Sequence, residues 1–158
     1  MVFAHLPEMA HFPVLGERPP MNLILTKHDI GQLEEIITDQ LLDAGAEHVV
    51  VVDLAGNLIL QCGSLEMEDI FSLAAVSAAH FAATAEIAKL IGEKDFALMY
   101  HKGGQRNVHF SRLAKDYLII TLFNDNVSLG LIRLKLGSAI NEMRVIFGEH
   151  EGKSPWRS

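Results

Sequence analysis

The chain alternates between two hydrophobic periods, and the switches between them give the order of its elements. Thr26 followed by Asp29 has the spacing of a helix N-cap. Ile30, Leu33, Ile37, Leu41 and Ala44 then recur at three- and four-residue steps until Gly45, which predicts an amphipathic helix. Its other face, with Glu34, Glu35, Asp39 and Asp43, is acidic and reads as solvated. A valine block at 48–53, a turn of Leu54, Ala55, Gly56 and Asn57, and a second apolar run at 58–62 predict a hairpin. Residues 96–102 and 107–113 predict another around Gly103 and Gly104, and 117–123 a fifth strand after Lys115 and Asp116. The first and fifth strands are apolar on both faces and belong in the middle of a sheet covered on two sides. The second, third and fourth alternate more and belong nearer its edges. Ser128 has the chemistry of an N-cap, and Leu129, Ile132, Leu136, Ala139, Ile140, Met143 and Phe147 trace a last helix. Its first part, 129–136, also fits a strand, because Ile132, Leu134 and Leu136 alternate with Arg133 and Lys135.

Between the hairpins, residues 69–91 predict a long helix with both faces uncharged over most of its length. Ile70, Leu73, Val76, Ser77, Phe81, Thr84, Ile87 and Ile91 fall on one side and are expected to pack on the sheet. Ala75, Ala78, Ala79, Ala82 and Ala85 fall on the other, and the first charges, Glu86 and Lys89, arrive only in the last turns. A solvated helix face is normally charged, whereas a methyl-only face lets a second backbone approach closely. The inference is a helix that packs on its own sheet with one side and on another protein surface with the other. Alanine's helix propensity alone would also give this composition.

The expected fold class is α+β: helix, two strands, helix, three strands, helix, with a five-stranded antiparallel sheet carrying one helix on one face and two on the other. Residues 1–25, with Pro7, Pro13, Pro19 and Pro20, read as an extension of low order in which Met21 is a candidate internal start. The domain spans 26–147, and 148–158, with Pro155 and Trp156, reads as a loose tail. At 158 residues, 49% of them hydrophobic, the chain has room for one ordinary core. With 13 Lys and Arg against 20 Asp and Glu, its net charge of −7 argues against nucleic acid and anionic membranes as partners. The single cysteine, Cys62, and the lack of a signal-peptide pattern in the first 20 residues fit a cytoplasmic location. No apolar run is expected to reach the roughly 18 residues that span a bilayer.

Catalytic motifs are absent from the sequence. It has neither GxxxxGK[ST] nor GxGxxG, so no nucleotide cofactor is expected, and Gly103-Gly104 reads as a hairpin turn. Cys62 reads as a buried inert thiol. The eight histidines form no HxH or HxxxH pair; His101 and His109, on facing strands, are the two expected to be able to meet, and no metal site is expected. Arg106, Arg112, Arg133 and Arg144 are weighed for a phosphate-binding or arginine-finger role, Arg106 beside the Gly-Gly turn being the best placed, against the plain alternative of solvated side chains. His80, between the two faces of the alanine helix, reads as a rim contact or as merely exposed.

The segments DIFSLAAVSAAHFAATAEIAKLIGE (69–93), YLIITLFNDN (117–126) and SLGLIRLKLGSAINEMRVIF (128–147) resemble the roadblock/dynein light chain domain family, and within it the bacterial MglB-type GTPase regulators. The resemblance covers roughly residues 29–147 and is strongest at AKLIGE and FNDNVSLGLIRL. It implies the same element order and a homodimer. In that dimer the third strand pairs with its symmetry mate and the alanine helices lie side by side, with Ala78, Ala85, Phe96, Leu98 and Tyr100 at the interface. This agrees with the separate need to cover an edge strand at 96–102. It further implies binding of a small Ras-like GTPase, of the MglA type, through Ala75, Ala79, Ala82 and Glu86, and stimulation of GTP hydrolysis by positioning the GTPase's own switch loops, with no catalytic residue supplied. The alternative use of the fold is a non-catalytic dimeric adaptor that tethers a GTPase or motor complex.

Overall fold

The strands form one sheet in which every strand is antiparallel to its neighbours and the last in the sequence, residues 117–123, is the middle one, with 48–53 and then 58–63 on one side of it and 107–114 and then 98–102 on the other. The computed structural model describes residues 25–151. Along the chain, α1 (Lys27–Ile37) runs into a π-helical turn (Thr38–Leu42). Then come β1 (His48–Asp53), β2 (Leu58–Gly63), α2 (Ile70–Leu90), β3 (Leu98–Lys102), β4 (Asn107–Ala114), β5 (Tyr117–Phe123) and α3 (Leu129–Glu151). This is the α+β order and layering that the sequence predicts.

Local chemistry sets the boundaries. Thr26 and Asp29 form a capping box: Asp29 N donates to Thr26 Oγ1 at 3.1 Å and Thr26 N to Asp29 Oδ2 at 2.8 Å. Leu33, Ile37 and Leu41 are fully buried, so one apolar stripe continues across the π-helical turn, where Asp43 N donates to Thr38 O five residues back at 3.0 Å. The β1–β2 turn is held by Asp53, which accepts from Asn57 N at 2.8 Å and from Asn57 Nδ2 at 2.9 Å. Ser128 Oγ caps α3 by accepting from Leu131 N at 3.1 Å. Residues 129–136 are therefore helical and not a strand, with Ile132 and Leu136 buried one turn apart and Leu134 turned outward. Residues 148–151, expected in the tail, are the last turn of α3. The rest of the expected tail and residues 1–24 lie outside the described residues.

All six β1 residues and six of the seven in β5 are buried, as strands covered on both faces require. β4, expected nearer an edge, is paired on both sides. On one face Val49, Val51, Leu113, Ile119 and Phe123 pack with Leu33, Ile37 and Leu41 and with Ile132, Leu136, Met143 and Phe147 of α3. On the other, Val50, Val52, Phe110, Leu118 and Ile120 pack with Ile70, Ala74 and Phe81 of α2. Burial of these side chains, at about 1.5–3 kcal/mol each, is the main force holding the three layers together.

Candidate partner-binding surface

α2 is anchored at both ends and across its middle. Asp69 caps it, accepting from Ser72 N at 3.0 Å and Ser72 Oγ at 2.6 Å, and these two bonds, the hydroxyl's first, hold its carboxyl below the ordinary value. Near its start the β1–β2 turn comes so close that a Cβ on Gly56 (φ +91°) would lie 3.0 Å from the Ala75 Cα. At its middle, Arg112 of β4 lies over the Phe81 ring at 4.8 Å, and beyond its end the same guanidinium binds Asp95 at 2.7 Å, tying the α2–β3 loop to the sheet.

The stripe facing the sheet is Ile70, Ala74, Ser77, Ala78, Phe81 and Ala88. This corrects the expected division of faces. Ala78, assigned outward and to the dimer interface, is 5% exposed and already covered by its own chain, while Val76, Ile87 and Ile91, assigned to the sheet, are 50–64% exposed. Ala74 and Ala78, between the larger Ile70 and Phe81, and Ala88 beyond them let the helix backbone settle close to the strands, and this turns the bulky residues outward. The face away from the sheet therefore carries Ala75, Ala79, Ala82, Ala83 and Glu86 together with Phe71 at 72% and Leu90 at 86% exposure. Its only ion pair among the described residues, Lys89 to Glu86 at 2.8 Å, is solvent-exposed and contributes little. Ala85 is half-buried. A second correction follows from the same composition: by length and hydropathy alone this 21-residue helix passes as a membrane span. In this fold it lies on the sheet through its buried stripe.

Next to α2 lies the open edge of the sheet. β3 pairs with β4 on one side and with no strand of this chain on the other, among the described residues. It begins at Leu98, so Phe96, half-buried, belongs to the preceding loop and not to the strand. Tyr100 stacks on Phe123, ring centroids 6.1 Å apart, and Leu98 shares its face; Met99 and His101 point to the α2 side.

His101 and His109 do not meet, because they stand on opposite faces. The register pairs His101 with Val108 and His109 with Tyr100. His109 is buried under the α1/α3 layer with Ser111 Oγ 3.2 Å from its Nδ1, and burial, helped by Arg133, lowers its pKa to about 4. The ring that His101 does meet is His80 of α2, Nε2 to Nε2 at 3.0 Å, a contact that sequence spacing does not reveal. Among the arginines, Arg106 binds Glu47 at 2.9 Å, Arg112 binds Asp95, and Arg144 donates to Leu113 O at 2.8 Å. Each of these three is thus engaged within its own chain. Cys62 is half-buried, and burial, with Glu34 adding to it, pushes its thiol up to about 11. On the far side of the sheet, an open groove of about 630 Å³ between α1, the π-helical turn and α3 is lined by Glu35, Asp39 and Glu142 around Ile36 and Val145.

Residues 32–124, which include this apolar helix face and open strand edge, both uncovered among the described residues, match the Roadblock/LC7 domain. The chain belongs to the Roadblock/LC7 family. Among solved structures this roadblock chain is similar to Myxococcus xanthus MglB, at 30% identity with a TM-score of 0.76, covering 84% of this chain and 99% of that one. The gliding protein MglB of Thermus thermophilus is 24% identical with a TM-score of 0.74, over 81% and 97% of the two chains, and has the same fold. An uncharacterized protein of Aquifex aeolicus (strain VF5) is 26% identical over 117 residues, 72% of each chain. The matched span of the roadblock domain contains all of α2 and β3, so the uncovered surface is part of the domain and not an appendage to it.

Proposed function

We propose that this roadblock protein is a cytosolic homodimer that binds a small Ras-like GTPase across its paired α2 helices and stimulates hydrolysis of GTP without making or breaking bonds itself. The observation that carries the reading is the outward face of α2. Among the described residues, Phe71, Val76, Ile87, Leu90 and Ile91 stand in solvent around a floor of Ala75, Ala79 and Ala82, on the helix that covers that side of the sheet. Apolar side chains of this size, left contiguous and uncovered, are what a protein interface looks like before its partner arrives. Pairing of two β3 edges, with Leu98 and Tyr100 in the strands and Phe96 beside them, would set the two helices next to each other at Ala85. Ala75, Ala79, Ala82 and Glu86 of both chains then form one platform. An edge pair with a helix pair can bury the 1,200–2,000 Å² or so that a specific dimer needs.

The platform acts on hydrolysis by selecting a conformation. A GTPase whose switch loops visit the hydrolysis-ready arrangement only part of the time is accelerated by a surface that binds that arrangement more tightly, and a tenfold preference is worth about 1.4 kcal/mol. Support for this route over an arginine supplied in trans comes from Arg106, Arg112 and Arg144, each bonded inside its own chain, and from the place of Arg133, exposed on α3 on the sheet face opposite α2. The test is single-turnover GTP hydrolysis by an MglA-like GTPase titrated with the full chain. Saturable acceleration of at least about tenfold is expected. Saturable binding without acceleration selects the tethering adaptor, and absence of binding rejects both.

A further inference from the structure

We propose that His80 and His101 form half of a transition-metal site that a second copy of this chain completes across the β3 edge. The pair comes from different elements, α2 and β3, yet the two rings converge on the same kind of atom, Nε2 to Nε2 at 3.0 Å. Phe110, itself buried, backs both, its ring centroid 5.2 Å from His80 and 5.8 Å from His101, so the two imidazoles lie against one apolar ring. In the metal-free chain one Nε2–H donates and the other Nε2 accepts. An ion takes the Nε2 lone pair of each ring, and the ring that carried Nε2–H changes to its Nδ1–H tautomer by proton exchange with water, so both imidazoles stay neutral. With zinc–nitrogen bonds of about 2.0–2.1 Å, nitrogens 3.0 Å apart subtend roughly 95° at the ion, and opening the gap by ~0.3–0.4 Å gives the tetrahedral angle. Imidazole pairs suit zinc, copper and nickel and do not suit magnesium or calcium.

Two ligands leave a tetrahedral ion half-coordinated, and among the described residues no third His, Cys, Asp or Glu joins the pair. The missing ligands are supplied by position. His101 is next to Tyr100, the middle residue of the five-residue edge strand β3, and stands on the α2 face. Antiparallel pairing of two β3 strands about a two-fold axis near Tyr100 sets the two His101 residues diagonally across on that face, about 7–8 Å apart between backbones. That is within reach of two imidazoles on one ion, and each His101 brings its own His80. Four histidines around one ion give a closed, structural type of site that ties α2 and β3 of both chains together. The inference rests on the dimer proposed above, so its test reads the two separately.

The full chain, stripped by a chelator, is titrated with Zn²⁺ by calorimetry and with Co²⁺ by visible absorption, while light scattering follows its mass with and without metal. Expected are one Zn²⁺ per two chains at micromolar affinity or better and the intense visible bands of tetrahedral Co²⁺. His80→Ala and His101→Ala should each weaken binding more than ~100-fold, removal of a ligand exceeding the ~10–100-fold loss typical of outer-shell changes. His28→Ala, at an exposed position on α1, should bind as wild type. One ion per chain, millimolar binding, or affinity unchanged in both variants overturns the site. A dimer that persists in chelator while zinc fails to bind rejects the metal and leaves the dimer standing. A chain that is monomeric with and without zinc rejects both.

Discussion

Ala82→Arg separates the working surface from the fold. Ala82 is exposed on α2, so no buried contact is lost on replacing it, and arginine is nearly as good a helix former as alanine. The introduced guanidinium lies one turn from Glu86, a favourable helix pair worth ~0.3–0.5 kcal/mol. The free chain should therefore keep its stability to within about 0.5 kcal/mol. At the middle of an interface the same group is a long, desolvated charge among methyl groups, which costs several kcal/mol; even ~2.7 kcal/mol is about 100-fold in affinity. Ala78, four residues earlier but 5% exposed, is the internal contrast: Ala78→Arg forces the charge against the sheet and should unfold the domain. The assay is a thermal melt and light scattering of each variant, followed by GTPase binding and GTP hydrolysis. Ala82→Arg should melt like wild type and lose both GTPase functions. Loss of the dimer as well would place Ala82 within the homodimer contact. Retention of the dimer, with GTPase binding and stimulation within about threefold of wild type, would refute the reasoning.

The buried His109 makes stability fall in mild acid. Its pKa is about 4 in the folded chain against 6.5 for an ordinary histidine, so below pH 6.5 the unfolded chain takes up a proton that the folded chain refuses. The contribution is full above about pH 6.5, is lost progressively down to about pH 4, and amounts to about 3 kcal/mol. Urea midpoints at pH 7 and 4.5 should therefore drop less in His109→Gln than in wild type, and equal drops would contradict it. Cys62, pushed up to about 11, is almost wholly thiol at neutral pH, and iodoacetamide should label it at least about tenfold more slowly than free cysteine. Thr26→Ala opens the capping box of α1 and should cost about 1 kcal/mol of unfolding free energy in denaturant titrations, with Thr26→Ser restoring most of it.

What the sequence made legible was set by how strongly each element depends on its own residues. The valines of β1 can be satisfied only by cover on both sides, and the fold gives them that cover, with every residue of the strand buried. The caps at Thr26 and Ser128 are local chemistry and stand where their spacing put them. α2 defeated the same reasoning, because its apolar residues are spread nearly evenly around the axis and no charge marks the solvent side before Glu86. Only contact with the sheet decides that Ala78 goes in and Val76 stays out. The His80–His101 contact was illegible for the same reason, since it depends on the rotation of α2 relative to a strand in another part of the chain. The π-helical turn left no trace either, for Leu33, Ile37 and Leu41 keep the same four-residue spacing in either kind of helix.

The placing of β5 between β1 and β4 sets a timetable for synthesis. β1 acquires its second neighbour only when Tyr117–Phe123 is made, about 70 residues after His48–Asp53 has been completed. At 5–20 residues per second the ribosome needs roughly 4–14 s to cover that distance. During this interval a row of four valines has one hydrogen-bonded edge, against β2, and the other open to any extended segment nearby. A chain cut anywhere before residue 117 never closes that edge, so fragments ending there should aggregate while the nearly full-length chain folds. The centre of the sheet is thus open to misassembly throughout those seconds of synthesis, and a chaperone that shields extended apolar segments would have a task there.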